Sequence, residues 1–283
     1  MKNELKNLAG DLAAYIKNLD GDTYIPPSGG MSPCPRHTGR PVVPAACLRA
    51  AVAAEAPNGQ AGHKSQVTGR KPQDAVAEMA VLAAEVDKCR KCQLGNSRLN
   101  AVFGVGDIHS KIVFVGEGPG YQEDHRGEPF VGRSGQLLDK ILETVLGLKR
   151  SQIYIANIVK CHPMKNPENP EAYSNDRPPA PEEISACRPY LDRQLTLIKP
   201  KCIVTLGSVA TRVLLGVTRG ISLVRGKWYD YPVELFGPGN PIKVLPTYHP
   251  AALLRNSNLK RDTWEDMKML KAFLEKDSWE SRV

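Results

Sequence analysis

The 283-residue sequence lacks any apolar run long enough to span a bilayer. Its first residues, MKNELKNLAGDLAAYIKNL, also lack the apolar core and small-residue cleavage site of a secretion signal. These absences argue against membrane and secreted classes and predict a cytoplasmic location. The composition, 41% hydrophobic and 24% charged residues, is that of an ordinary soluble protein, and the length suits one large domain with an appendage.

Charge and cysteine content narrow the possible chemistry. Lysine and arginine outnumber aspartate and glutamate by 38 to 30, and the resulting net charge of +8 favours a polyanionic partner without establishing one. In a cytoplasmic chain of this size, cysteines indicate metal ligation or buried thiols rather than a disulfide framework. There are seven: Cys34, Cys47, Cys89, Cys92, Cys161, Cys187 and Cys202.

Composition divides the chain into three parts. Residues 1–20 carry leucines at three- and four-residue spacing and predict an amphipathic helix, which either docks on the core or binds a partner. Residues 21–73 are rich in proline, glycine and small residues and predict a flexible linker, a poor place for a rigid metal site. Residues 74–283 have globular patterning, and Asp74 is the expected N-cap of the first helix.

Four apolar segments alternate with helical patterns in the globular part: KIVFVG, IYIANIVKC, CIVTLG and KVLPTYHP. Strands that are apolar on both faces and separated by helices predict an α/β fold with a parallel sheet covered on both sides. Ligands bind such sheets beyond the carboxyl ends of the strands. Functional residues are therefore expected just after IVFVG, around Asn157 and around His249.

Four of the cysteines form a candidate metal-binding set. Cys89 and Cys92 form a CxxC pair at the end of a predicted helix, Cys161 ends a strand, and Cys187 lies in a helix. Four thiolates suit zinc or an iron–sulfur cluster, and spacing alone does not separate the two. The CxxC pair also fits a redox function, and Cys161 and Cys187 also fit buried apolar positions, as Cys202 does.

The motifs GEGPGYQEDHRGEPFVGRSGQLLD, NIVKC, ACRPYL, RGKWYDY and YHPAALLR, in this order, resemble the family 4 uracil-DNA glycosylases, bacterial and archaeal enzymes with a four-iron cluster. The resemblance covers about residues 81–274. It implies a three-layer α/β/α sandwich around a four-stranded parallel sheet, and a [4Fe–4S] cluster held by Cys89, Cys92, Cys161 and Cys187. The segment between Cys161 and Cys187 is longer than is usual in the family, and a loop insertion is easily accommodated there.

The resemblance implies roles for three residues around a flipped-out base. Phe130 stacks on the base, although a core phenylalanine is the alternative. Asn157 pairs with the C4 carbonyl and the N3 donor of uracil, which cytosine cannot match; the alternative is an amide bonded to neighbouring backbone. His249 donates a hydrogen bond to uracil O2 as negative charge gathers there, unless it is a structural histidine before a proline.

The glycine-rich loop supplies the remaining pocket residues implied by the resemblance. Glu117 orients water or braces the loop, and Glu123 lies near uracil C5. Some related families carry an aspartate where this sequence has Gly118, so the obvious general base is absent. The backbone amides of Gly118 and Gly120 are expected to meet the base.

Residues after the last strand are expected to contact DNA. Leu253 and Leu254 are predicted to fill the gap left by the flipped base, with helix-start core packing as the alternative. Basic side chains are predicted to bind phosphates, with a solvated charged face as the alternative for each. They are Arg225, Lys227, Arg255, Lys260 and Arg261.

The expected activity is hydrolysis of uracil from single- or double-stranded DNA by a monomeric enzyme without lyase activity, since no lysine nucleophile is evident. Two alternatives stay open: a non-catalytic or covalent uracil-DNA binder on the same fold, and an iron–sulfur or zinc redox protein. The cluster is expected to tie the Cys89–Cys92 segment to the loop after Cys161. The N-terminal segment is a candidate contact for another repair or replication protein.

Overall fold

A computed structural model describes residues 72–172, 174–231 and 241–280. The predicted N-terminal helix and almost all of the predicted linker, with Cys34 and Cys47, therefore lie outside the described residues. The first described helix begins at Pro72, so Asp74 lies in its first turn and is not the N-cap that the sequence suggested. Proline is well suited to the start of a helix because it has no N–H to leave unbonded there.

A six-stranded sheet forms the centre of the molecule, in the order β1-β3-β2-β4-β6-β5. The four inner strands are parallel, as predicted, but the prediction of four strands was wrong because a two-residue antiparallel strand is added at each edge. Such short strands carry no alternating pattern to detect. The strands are β1 (Val105–Gly106), β2 (Ile112–Gly116), β3 (Tyr154–Asn157), β4 (Cys202–Leu206), β5 (Tyr229–Asp230) and β6 (Lys243–Thr247).

Helices cover both faces of the sheet and complete the expected α/β/α sandwich. A π-helical turn (Leu142–Leu146) and a 3-10 turn (Arg150–Gln152) follow α4. None of the described helices is both long and apolar enough to cross a membrane. The α-helices are α1 (Pro72–Asp87), α2 (Leu94–Ser97), α3 (Tyr121–Arg126), α4 (Arg133–Ile141), α5 (Pro181–Ile198), α6 (Ser208–Leu215), α7 (Ile221–Val224), α8 (Pro250–Arg255) and α9 (Leu259–Glu280).

Strand β2 shows how the two apolar layers form. Val113 and Val115 face the layer that contains α1 and α5, whereas Ile112 and Phe114 face the layer that contains α4 and α9. All four side chains are at most 3% exposed, which explains the continuous apolar run in the sequence. Since the inner strands are parallel, the segments that follow them meet at one edge of the sheet.

Candidate active site

A cleft of about 410 Å³ lies at the carboxyl edge of the sheet. A volume of this size suits a small-molecule ligand. All seven predicted pocket residues line it, from the end of β3 and from the segments after β2 and β6: Glu117, Gly118, Gly120, Glu123, Phe130, Asn157 and His249. Arg255, a predicted phosphate contact, lines it as well. The predicted pocket residues are thus brought together by the topology of the sheet.

Gly116 allows two of these side chains to approach each other. A Cβ atom at this position would lie 2.4 Å from Oδ1 of Asn157 and 2.6 Å from Cζ of Phe130. Real Cβ atoms do not come so close to other atoms, so a larger residue would displace both side chains. The glycine that ends β2 is therefore part of the cleft's construction.

Asn157 ends β3 and presents an incompletely bonded amide to the cleft. The residue is 1% exposed, and its Oδ1 is the one buried side-chain nitrogen or oxygen without a hydrogen-bond partner in the described part of the chain. An unsatisfied buried amide oxygen costs about 1–3 kcal/mol. The Oδ1 atom is therefore not bonded to neighbouring backbone, and it is available to a ligand donor.

Phe130 is held in a backbone conformation that few side chains adopt. Its φ of 54° lies in the left-handed region, and its side chain is 6% exposed at the cleft wall. Arg150 donates a 3.0 Å hydrogen bond to the carbonyl oxygen of Phe130 and a second hydrogen bond to that of Pro129. Gly135 leaves room for this turn, because a Cβ there would lie 1.8 Å from the same Phe130 oxygen.

His249 immediately precedes α8 and has a defined tautomer. Its Nδ1 accepts a hydrogen bond from the backbone N–H of Ala251 at 3.1 Å, so the proton of the neutral ring lies on Nε2. Burial and the nearby Arg255 guanidinium lower the pKa of His249 to about 4. The ring centroid lies 5.5 Å from that of Phe130. The cleft therefore contains a neutral imidazole with one N–H donor.

The two predicted glutamates differ in their surroundings. Glu123 accepts hydrogen bonds from the backbone N–H groups of Val131 and Gly132, both at 2.9 Å, and of Gly120 at 3.2 Å. Its carboxylate therefore braces the loop, and the Gly120 amide that was expected to meet the base is already bonded. Glu117 lines the cleft, where burial raises the pKa of its carboxyl group.

A third acidic residue, Asp176, lines the cleft and was not predicted from the sequence. Its Oδ1 lies 2.6 Å from Nε2 of His162, whose Nδ1 lies 3.8 Å from a carboxylate oxygen of Asp124. Burial opposes a charge on His162, but the two carboxylates outweigh it and raise the pKa of the imidazole to about 9. Asp176 belongs to the long segment between Cys161 and Cys187, where a bridge to Met164 turns it back to the cleft.

The structure distinguishes between the residues that the sequence assigned to DNA. Leu254 is 44% exposed, whereas Leu253 is 1% exposed in the apolar core, so the prediction of an exposed Leu253 was wrong. Arg225 pairs with the buried Asp266 and also contacts Asp262, so its guanidinium is occupied within the protein. Arg255 lines the cleft.

A second cavity is lined by all four predicted metal ligands, Cys89, Cys92, Cys161 and Cys187. It lies between the end of α1, the segment after β3 and α5. Burial raises the pKa of the Cys161 thiol to about 12 and also raises that of Cys187. Nη1 of Arg98 lies 2.9 Å from Sγ of Cys161, and the backbone N–H of Lys160 lies 3.2 Å from Sγ of Cys187. Cys202 is buried, as expected, and lies in the opposite apolar layer.

The parallel sheet and the cleft at its carboxyl edge agree with the protein family that the sequence matches. Residues 103–268 match the model of the uracil DNA glycosylase superfamily, and the chain belongs to this superfamily. It is 44% identical over 191 residues to a type-4 uracil-DNA glycosylase of Sulfurisphaera tokodaii, covering 66% of this chain and 80% of the relative. It is 41% identical over 202 residues to that of Thermotoga maritima, covering 70% and 96%.

A type-5 uracil-DNA glycosylase of Pyrobaculum aerophilum is 30% identical over 177 residues, which cover 57% of this chain and 70% of that protein. The type-4 relatives thus have the higher identity and cover more of their own length. The resemblance noted in the sequence is confirmed.

Proposed function

We propose that the protein flips uracil out of DNA and hydrolyses its N-glycosidic bond, releasing free uracil and leaving an abasic site. The observation that carries this proposal is the buried Oδ1 of Asn157, which has no partner and borders a cleft of suitable size. Membership of the superfamily and the names of the type-4 relatives support it.

The side-chain amide of Asn157 complements uracil both as an acceptor and as a donor. Its Oδ1 accepts a hydrogen bond from N3–H, and its amide nitrogen donates one to the C4 carbonyl oxygen. Cytosine presents an acceptor at N3 and an amine at C4, so both contacts would become mismatched, and unpaired buried groups discriminate strongly. The Phe130 ring beside it provides the stacking surface for the base.

His249 stabilises the departing base as the glycosidic bond breaks. Negative charge then gathers on uracil O2, and the Nε2–H group donates a hydrogen bond to this oxygen. The imidazole does not need to be charged for this, because the fixed N–H dipole is already oriented. The low pKa of His249 keeps it in this form at neutral pH.

We assign the orientation of the attacking water to Asp176, with Glu117 in a secondary role. The Glu123 carboxylate is occupied by three backbone N–H groups. Glu117 also lines the cleft, where burial raises the pKa of its carboxyl group, and it keeps a secondary role as a candidate base. Asp176 lines the cleft, and one oxygen of its carboxylate is anchored by His162. Asp176 would thus take the place of the aspartate that some related families carry where this sequence has Gly118.

The four cysteines around the second cavity fit a [4Fe–4S] cluster. Within the described ranges, no three histidine, cysteine or carboxylate side chains are grouped so as to hold a single metal ion. In a four-iron cluster each cysteine binds a different iron, so the sulfurs need only face one cavity, as these do. When bound, the cluster supplies a cross-link between α1, the segment after β3 and α5.

DNA binding is proposed to use the surface around α8. Leu254 fills the space left by the flipped uracil, and Arg255 contacts phosphate at the edge of the cleft. Both single- and double-stranded DNA are proposed substrates. A monomeric state, a cytoplasmic location and a partner for residues 1–20 stay predictions.

A single-uracil oligonucleotide tests the proposal. The protein is purified without oxygen, its iron and sulfide are counted, and it is incubated with the labelled oligonucleotide, followed by alkali. We expect strand cleavage only after alkali, together with free uracil, and no reaction with a cytosine control. An iron-loaded protein that releases no uracil would overturn the proposal, and cleavage without alkali would contradict the absence of a lyase step.

A further inference from the structure

Lys160 is a buried cation between the two cavities. It follows β3, immediately precedes Cys161, and is 1% exposed. Its Nζ donates hydrogen bonds to the backbone oxygen of Asn157 at 2.9 Å and to Oε1 of Gln194 at 2.6 Å. Within the described ranges both partners are neutral, and no carboxylate pairs with this ammonium group. Its charge therefore needs compensation from elsewhere.

Gln194 is fixed as an acceptor for this lysine. Its Nε2 donates to the backbone oxygen of Phe103 and to the hydroxyl oxygen of Tyr154, both at 3.0 Å. Because a backbone oxygen only accepts, the amide nitrogen must face Phe103 and the amide oxygen must face Lys160. Both partners of the Lys160 Nζ atom are therefore acceptors, and the arrangement requires a hydrogen-bond donor at this position.

Ligated cysteines would supply the compensating negative charge next to Lys160. Its backbone N–H lies 3.2 Å from Sγ of Cys187, and Cys161 is its neighbour in the chain. Lys160 also lines the four-cysteine cavity itself. Four thiolates around an iron–sulfur cluster carry net negative charge, and charge near such a cluster affects its potential.

We propose that Lys160 is a positioning residue that joins the cysteine cavity to uracil recognition. Its ammonium group balances the negative charge of the ligated cysteines and holds the carbonyl of Asn157, so that the recognition amide stays in place at the end of β3. The inference rests on the proposed function, both the cluster and the uracil cleft. It gives the cysteine cavity a role in base recognition as well as in folding.

Lys160→Met tests the proposal, because methionine has a similar length and no charge. We expect the loaded variant to have a more negative one-electron reduction potential, since loss of a nearby positive charge favours the oxidised cluster. We also expect its affinity for free uracil, measured by calorimetry, to fall about tenfold or more, since a charge-assisted hydrogen bond that holds Asn157 is lost.

Lys88→Met is the matched control. Lys88 also immediately precedes a cysteine of the cavity, Cys89, but its side chain is exposed. Solvent screens its charge, so both the potential and the uracil affinity should stay close to those of the unsubstituted protein. Lys160→Gln separates the two effects: it should shift the potential as methionine does, while its amide donor restores part of the uracil affinity.

Unchanged potential and uracil affinity in a loaded Lys160→Met variant would overturn the inference. If neither neutral variant binds about four irons per chain, Lys160→Arg decides: restored loading supports charge compensation, and failure to load refutes it. Failure of the proposed function gives a different result, because the unsubstituted protein would then release no uracil or bind no cluster.

Discussion

The Nδ1 atom of His249 lies 3.1 Å from the backbone nitrogen of Ala251 and accepts its hydrogen bond. This contact caps the short helix α8 and, at the same time, leaves the ring proton on Nε2. One hydrogen bond therefore caps the helix and orients the Nε2–H group that is proposed to act on uracil O2. A positively charged ring would lose the acceptor at Nδ1, which agrees with the low pKa of this histidine.

The pKa of His249 predicts the acid limb of the pH profile. The single-turnover rate of uracil release should not show a titration near pH 6.5, because the folded-state pKa lies at about 4. The unfolded chain binds a proton to this histidine at higher pH than the folded chain does. His249 should therefore also lower the free energy of unfolding as the pH falls from about 6.5 to about 4. An NMR titration of the His249 ring measures the pKa directly, and a midpoint near 6.5 would contradict the prediction.

Replacing Asn157 should separate activity from stability. Asn157→Ala removes both contacts to uracil, and we expect kcat/KM to fall by roughly 10²–10³-fold, as for loss of other paired buried groups. The free energy of unfolding should change little, because the variant also removes the unpaired buried oxygen. Single-turnover kinetics and urea unfolding measure the two quantities. Full activity, or an activity loss matched by unfolding, would refute the assigned role.

The cleft was largely predictable because its residues interrupt clear patterns. Asn157 is a polar residue in an apolar strand, His249 lies two residues beyond β6, and Phe130 lies in a specific motif in the turn before α4. Asp176 escaped detection because a loop bridge far along the chain turns it towards the cleft. The ion pair between Arg225 and Asp266 could not be predicted either, because it joins distant segments of the chain.

The sequence also does not show which residues of the short helix α8 face the core. Leu253 and Leu254 are adjacent and chemically identical, and only packing decides which of them faces the core. The two edge strands have two residues each. They form because neighbouring strands provide hydrogen-bond partners, and not because their residues strongly favour strand conformation.

The same two leucines provide a matched pair of variants. Leu253→Ala should lower the free energy of unfolding by about 2–5 kcal/mol, because it creates a cavity in the core. Leu254→Ala should change stability by less than about 0.5 kcal/mol, as for other exposed positions. It should instead reduce uracil release from duplex DNA more than from single-stranded DNA, where no gap needs filling. Equal losses on both substrates would contradict the wedge role of Leu254.

Arg150 should act on catalysis through Phe130. Arg150→Met removes the hydrogen bonds to the Pro129 and Phe130 carbonyls, and the left-handed backbone at Phe130 should relax. We expect KM for the uracil oligonucleotide to rise about tenfold, since stacking contributes roughly 1–3 kcal/mol per base. Asp139→Asn is the control, because it weakens the ion pair with Arg150 but keeps both carbonyl contacts. A similar rise in KM for both variants would show that the ion pair matters instead.

Asp176→Asn and Glu117→Gln compare the two carboxylates that remain to orient the attacking water. Both changes keep the size of the side chain and remove its ability to act as a base. With Asp176→Asn we expect the single-turnover rate to fall by about 10²-fold, the lower end for general base catalysis, with DNA affinity unchanged. Glu117→Gln should cost less than about tenfold, because the proposal gives this group only the secondary role in orienting the water. A larger rate loss for Glu117→Gln than for Asp176→Asn would assign the role to Glu117. Solvent isotope effects on both variants would then report whether proton transfer from water still limits the rate.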